Sequence, residues 1–151
     1  MTVRSVVNGS FTVTRSWKVS PERVFAAFAN EEAKRKWFGG PGMELLEKSF
    51  DFREGGREIA SGRHPNGMVS RFDCIYRDIV PNERIVYSYV MHLDDKKISV
   101  SQACITLTPE GGGTKLTATE YGDFLDGYDD AGGREHGTNF LMDKLGESVG
   151  A

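Results

Sequence analysis

The sequence predicts an α+β domain in which a twisted antiparallel sheet of six or seven strands is covered by one long C-terminal helix. Three observations lead there. From Met43 to Tyr121 the chain is a succession of alternating apolar and polar runs separated by Gly, Pro, Asn and Asp turns. Helix signals ahead of that region are confined to two short segments after the first strand. Residues Arg134–Val149 then place Phe140, Leu141, Leu145 and Val149 near one face at helical spacing. An antiparallel sheet has one face to bury, and the terminal helix is its natural cover.

The elements follow in order. Residues 10–19, SFTVTRSWKV, put Phe11, Val13, Arg15, Trp17 and Val19 on one face of a half-buried strand. Residues 1–9 precede this alternation and are a candidate disordered lead within a single domain spanning 1–151. Ser20-Pro21-Glu22 starts a helix with a capping hydroxyl, a proline in the first turn and an acid near the positive end. Asn30 caps a second helix, EEAKRKWF, with Glu31–Arg35 and Glu32–Lys36 at the i,i+4 spacing of ion pairs. Gly39-Gly40-Pro41-Gly42 stops it. Strands are expected over Met43–Arg53, Arg57–Arg63, Met68–Val80, Ile85–Leu93, Ile98–Thr108 and Lys115–Tyr121. His64-Pro65-Asn66-Gly67 is a hairpin turn, and a free sheet edge is expected near Arg57–Arg63, which would either pair in a homodimer or be protected by its charges in a monomer. There is no linker, internal repeat or low-complexity segment.

Composition narrows the function. Nineteen Lys and Arg against 22 Asp and Glu leave a formal charge of -3, which gives no electrostatic reason to expect nucleic acid or an anionic membrane as partner. The two cysteines, Cys74 and Cys104, form no disulfide-rich or C-x-x-C pattern, so a reduced, cytoplasmic setting is expected. The first twenty residues lack an apolar core of the secretory kind, and no run of about 18 apolar residues exists to cross a membrane.

Four stretches carry a family resemblance: Thr14-Arg15 followed by SPERVFAAF; the aromatic pair Trp37-Phe38 before Gly and Pro; DFREGGRE, Asp51 to Glu58; and DIVPNERIVYSY, Asp78 to Tyr89. In this order they resemble the bacterial single-domain homologues of the activator of the heat-shock protein 90 ATPase, within the START-related, polyketide cyclase-like (SRPBCC) superfamily. The resemblance implies a helix-grip (START-like, Bet v-like) fold: a curved sheet gripping the C-terminal helix, with a cavity between them that in many superfamily members takes apolar small molecules. The eukaryotic co-chaperone also has a separate N-terminal domain that makes much of the chaperone contact. Here the grip begins near residue 10, so a chaperone partner is a lesser expectation.

The chemistry-bearing patterns are mostly negative. Neither GGPG nor GGGTK has the spacing or the strand-to-helix context of a phosphate loop. His64, His92 and His136 lie on different elements, and the sequence offers no metal set, no G-x-S-x-G nucleophile and no cofactor motif. Polar residues on apolar strand faces are more informative. Arg15 shares a face with Phe11 and Val13, and Glu120 shares one with Leu116 and Ala118. If the first and last strands are neighbours, the two are expected to meet, either as a structural ion pair or as a polar anchor for a ligand carboxylate or carbonyl. Phe72, Tyr76, Tyr87, Tyr89 and Met91 are expected on the concave face, as core or as cavity wall. Trp37 and Phe140 add apolar contact, and His136 is expected either at the cavity mouth as an acid or base or, as is commoner, as a surface histidine. The leading expectation is a small apolar or amphipathic ligand bound at these ten residues without catalysis. A cyclase- or hydrolase-type enzyme, with His136, Glu120 or Tyr76 as acid or base, is the alternative, and a chaperone-associated interaction protein is the third.

Overall fold

The computed structural model describes residues 3–151. In chain order the elements are β1 (Val6–Trp17), α1 (Pro21–Ala29), α2 (Glu31–Arg35), β2 (Glu44–Phe50), β3 (Arg57–Arg63), β4 (Val69–Val80), β5 (Arg84–Leu93), β6 (Lys96–Glu110), β7 (Gly113–Leu125) and α3 (Ala131–Ser148). All seven strands form one antiparallel sheet in the order β1-β7-β6-β5-β4-β3-β2. Every connection except those through α1 and α2 and into α3 is a hairpin, and the chain's first strand closes onto its last.

Local chemistry explains the helices. The Ser20 hydroxyl accepts from the Arg23 amide; Asn30 ends α1 with its backbone N–H donating to the Ala26 carbonyl and begins α2 with its side chain accepting from the Ala33 amide. α2 is shorter than EEAKRKWF suggested: after Arg35 the chain turns, and Gly39 takes φ +119°, open to glycine and strained for any other residue. The two i,i+4 pairs do not form as ion pairs. Glu31 turns to Lys48 on β2 at 2.8 Å, because that contact also ties the helix to the sheet edge.

Three further expectations are corrected. Val6–Gly9 is strand, in register with Gly122–Leu125, so the lead expected to be disordered is ordered from Val6 onward; residues 1–2 lie outside the described residues. Arg57–Arg63 is not an edge: β3 lies between β2 and β4, and the free edges are β1 and β2. Phe140 is 41% exposed, while Met142, Leu145 and Gly146 form the buried side of α3, so the helical stripe is rotated from the one read in the sequence.

The core runs between the concave face of the sheet, α1 and the C-terminal half of α3, and contains Val13, Val24, Phe28, Ile85, Ile105, Leu116 and Leu145. α3 lies along β1. Gly146 permits that approach: a Cβ there would sit 2.8 Å from Trp17 Nε1. Arg15 fixes the next turns of α3 by donating to Asp143 at 3.0 Å and to the Asn139 side chain at 2.9 Å.

The Gly55-Gly56 pair after Glu54 lies in the connection from β2 to β3. A Cβ on Gly56 would lie 2.1 Å from the Asp51 carbonyl oxygen, whereas at Gly55 (φ +82°) it would meet open space. Gly56→Ala is therefore expected to destabilise the protein by about 3 kcal/mol through the backbone clash, and Gly55→Ala by only about 1 kcal/mol through its left-handed backbone. Urea unfolding of the two variants checks the order.

Candidate functional site

The sheet and α3 do not close on each other. A cavity of about 790 Å³ lies between the concave faces of β3, β4, β5, β6 and β7, the α2–β2 segment and the N-terminal half of α3. Its origin is partly in α3 itself. The helix faces the cavity through Gly133, Gly137 and Thr138, and a Cβ on Gly137 would meet nothing within 4 Å. Arg134, Phe140, Leu141 and Met142 of α3 also line the cavity, but the stretch around Gly137 leaves room between them.

The sheet wall is aromatic. Phe72 packs its ring against Phe38 at 5.0 Å between centroids, Tyr89 at 5.0 Å and Tyr87 at 6.1 Å. Trp37 is buried, its indole N–H donating 3.0 Å to the Ala27 carbonyl, with Phe28 and Phe38 edge-on. Of the aromatic pair, Trp37 joins core to cavity wall and Phe38 meets Phe72 at the wall.

Two buried charge networks interrupt this surface. In the first, the Lys34 ammonium lies 2.5 Å from Glu58 Oε1 and 3.3 Å from the Tyr76 hydroxyl, which donates to the same Glu58 oxygen at 2.5 Å. The ammonium stands 4.5 Å from the Phe38 ring centroid and 5.6 Å from that of Phe72. Burial, and then the Glu58 charge, push the Tyr76 hydroxyl far above its ordinary value. In the second, Arg134 on α3 donates to the Tyr89 hydroxyl at 2.7 Å, Glu120 Oε1 at 3.3 Å, Ser99 at 2.7 Å and Asp129 at 3.1 Å. Tyr89 in turn donates to Glu120. Burial raises the Glu120 carboxyl above its usual range against the pull of Tyr89 and Arg134. Burial opposes the Arg134 charge, yet Tyr89, Glu120 and Asp129 outweigh it and raise its pKa. The guanidinium therefore stays charged.

Of the ten residues singled out by sequence, Trp37, Phe72, Tyr87, Tyr89, Met91, Glu120 and Phe140 line the cavity. Three do not. Tyr76 lies behind the wall, in the Lys34–Glu58 network, where its hydroxyl is fully engaged. His136 is exposed on the far side of α3. Arg15 does not pair with Glu120. In the β1–β7 register Arg15 lies opposite Leu116 and Glu120 opposite Phe11, so the two are separated along the strands, and each takes a partner from α3 instead.

Sequence reading missed Lys34, Glu58 and Arg134. Glu58 carried a usable signal, since it sits two residues before the half-buried Ala60 on one strand face. Lys34 stood among the charges of EEAKRK, which read as a solvated helix face, and Arg134 opened a helix whose cavity side is glycine. Cys74 is buried and its thiol is pushed up to about 12 by desolvation, so it is no nucleophile. Among the described residues no cluster of three His, Cys, Asp or Glu side chains gathers as a metal site, and no helix is long and apolar enough to cross a membrane.

An open antiparallel sheet curved around a C-terminal helix, with a partly polar cavity between the two, defines a helix-grip domain of the START-like class. The chain belongs to the Activator of Hsp90 ATPase homolog 1-like protein family, whose model matches residues 18–150. It is similar to the crystal structure of the Mll3558 protein from Rhizobium loti, with 44% identity over 95% of this chain and 99% of that one and a TM-score of 0.88. A protein from Rhizobium leguminosarum is similar at 39% identity, covering 98% of each chain, with a TM-score of 0.92. The CV1439 protein from Chromobacterium violaceum shares 26% identity over 94% of this chain and 97% of its own, with a TM-score of 0.80. Among curated proteins none matches.

Two outcomes test the networks. Lys34→Met leaves the Glu58 carboxylate buried without its counter-charge, held only by the Tyr76 hydroxyl, and is expected to lower stability by about 3 kcal/mol; Lys34→Met/Glu58→Gln should recover much of that loss in a urea double-mutant cycle. Glu120 has a folded pKa above its unfolded value of 4.5, so the native state holds the proton longer and stability falls as pH rises from 4.5 through the folded pKa. Glu120→Gln should remove this component, seen as a flatter stability profile above pH 4.5 in thermal melts.

Proposed function

We propose that this protein binds a small apolar or amphipathic molecule in the cavity between the sheet and α3. The observation that carries the reading is an unfilled space of about 790 Å³ with aromatic walls and a few fixed polar groups. A side-chain set serving only as core would be expected to close such a space, because each void forfeits dispersion contacts. Here α3 presents glycine to it. The family supports the reading, since START-like domains often hold ligands. A reduced, cytoplasmic setting fits the two free cysteines.

A second reading, an enzyme using a cavity acid or base, is favoured by one observation: Glu120, whose carboxyl burial raises above its ordinary value, lines the cavity beside Tyr89 and Arg134. Tyr76, held in its own network, and His136, facing solvent, contribute nothing to it.

Fluorescence titration with N-phenyl-1-naphthylamine tests the binding reading. The probe is expected to brighten on binding, and Ala60→Phe, which fills the cavity from β3, is expected to weaken it by roughly tenfold or more without lowering Tm. A probe that stays dark with the wild type, or binds both proteins alike, overturns the reading. Native mass spectrometry of protein purified from its own host then identifies the occupant.

A further inference from the structure

If the cavity holds a ligand, its wall also constrains that ligand's polar group. Tyr87 on β5 lies between Tyr76 and Tyr89, with ring centroids 6.0 and 5.9 Å away. Both neighbours donate to carboxylates, to Glu58 and Glu120 respectively, whereas the Tyr87 hydroxyl has no hydrogen-bond partner among the described residues. It nevertheless sits between the two buried networks. Burial, then the charge of Glu120 and, more weakly, that of Glu58 hold its proton on. Tyr87 is thus an O–H donor facing the cavity with nothing to donate to.

The carboxylates are open in the complementary sense. The hydrogen bonds to Glu120, from Tyr89 and Arg134, end on Oε1, and those to Glu58, from Lys34 and Tyr76, also end on Oε1. Among the described residues the second oxygen of each is without a partner, and both residues line the cavity. The cations of the two networks are already engaged, and of the other basic side chains lining the cavity Arg35, Lys36 and Lys144 are exposed to solvent while Lys48 pairs with Glu31. Both terminal nitrogens of Arg134 hold two acceptors each, and the Lys34 ammonium is held by Glu58, Tyr76 and the Phe38 ring.

Between the two networks the open hydrogen-bonding capacity is therefore one phenolic O–H beside carboxylate lone pairs. A carboxylate ligand would place its charge against Glu120 with only Tyr87 to receive it. An ether or ketone satisfies Tyr87 and leaves the carboxylate oxygen desolvated, and an ammonium satisfies the carboxylate and leaves Tyr87. A neutral hydroxyl does both. The mutually inclined rings of Phe72, Tyr87 and Tyr89, with centroids 5.0 to 6.1 Å apart, offer edge and face contacts to a planar ring beneath that hydroxyl. We propose, resting on the cavity reading above, that the occupant is a neutral phenol-type aromatic whose hydroxyl accepts from Tyr87 and donates to Glu120 Oε2.

Isothermal titration calorimetry with 2-naphthol, 2-methoxynaphthalene and 2-naphthoate at neutral pH tests the proposal on one ring skeleton. 2-Naphthol is expected to bind roughly tenfold more tightly than either analogue, the ratio set by one charge-assisted hydrogen bond. Tyr87→Phe should erase most of that margin with Tm unchanged, since the hydroxyl has no internal partner to lose; Glu120→Gln should also narrow it. Equal binding of all three, tightest binding of 2-naphthoate, or a margin that survives Tyr87→Phe overturns the hydroxyl assignment while leaving the cavity reading standing. If none of the three binds and none displaces N-phenyl-1-naphthylamine, the assignment is overturned; if that probe itself fails to bind, the cavity reading falls with it.

Discussion

The docking of α3 against β1 governs the rest of the molecule. The helix is held at one side of the sheet by the close approach of Gly146 to Trp17 and by Arg15 reaching Asp143 and Asn139. A helix fixed there covers the β1 side of a seven-stranded curved sheet and cannot also fill the concavity over β4 and β5. The cavity follows from that geometry together with the glycines on the near side of α3. What would be core in a flatter or narrower sheet becomes wall.

The two networks sit where this wall would otherwise be wholly apolar, and each ties the cavity to a different helix. Lys34 joins α2 to β3 and β4, and Arg134 joins α3 to β5, β6 and β7. Buried ion pairs are poor sources of net stability, because desolvation offsets much of their attraction. What they supply is orientation. Tyr76 and Tyr89 are locked by them, and Tyr87 between the two is left unengaged.

Most of the fold was legible because period-two alternation and turn chemistry are local. Arg57–Arg63 matched its strand to the residue, and Ser20 and Asn30 matched their caps. The errors had non-local causes. Arg15 and Glu120 share neighbouring strands, as expected, but their offset in register is set by the whole β1–β7 pairing, which no short window contains. The edge was misplaced because β2 pairs with β3 across the Gly55-Gly56 connection, leaving β2 outermost. Lys34 was hidden because a charged residue on a short helix looks solvated until a β-strand carboxylate arrives beside it. The aromatic set on β4 and β5 was readable as a shared face, but whether that face was filled depended on the rotation of α3, and Phe140 shows the sequence stripe to be turned from the real one.

Gly137 carries one more consequence. The sheet is a continuous hydrogen-bonded body whose large wall rings pack on one another across β4 and β5. The helix position opposite is empty space beneath an exposed-backbone turn. A methyl, an isobutyl or a ring introduced there would shorten the chamber by successive increments while the strands stay as they are. Relatives with the same frame could thus diversify what they accommodate by exchanging single residues on one helical face, with the sheet serving as a constant mould.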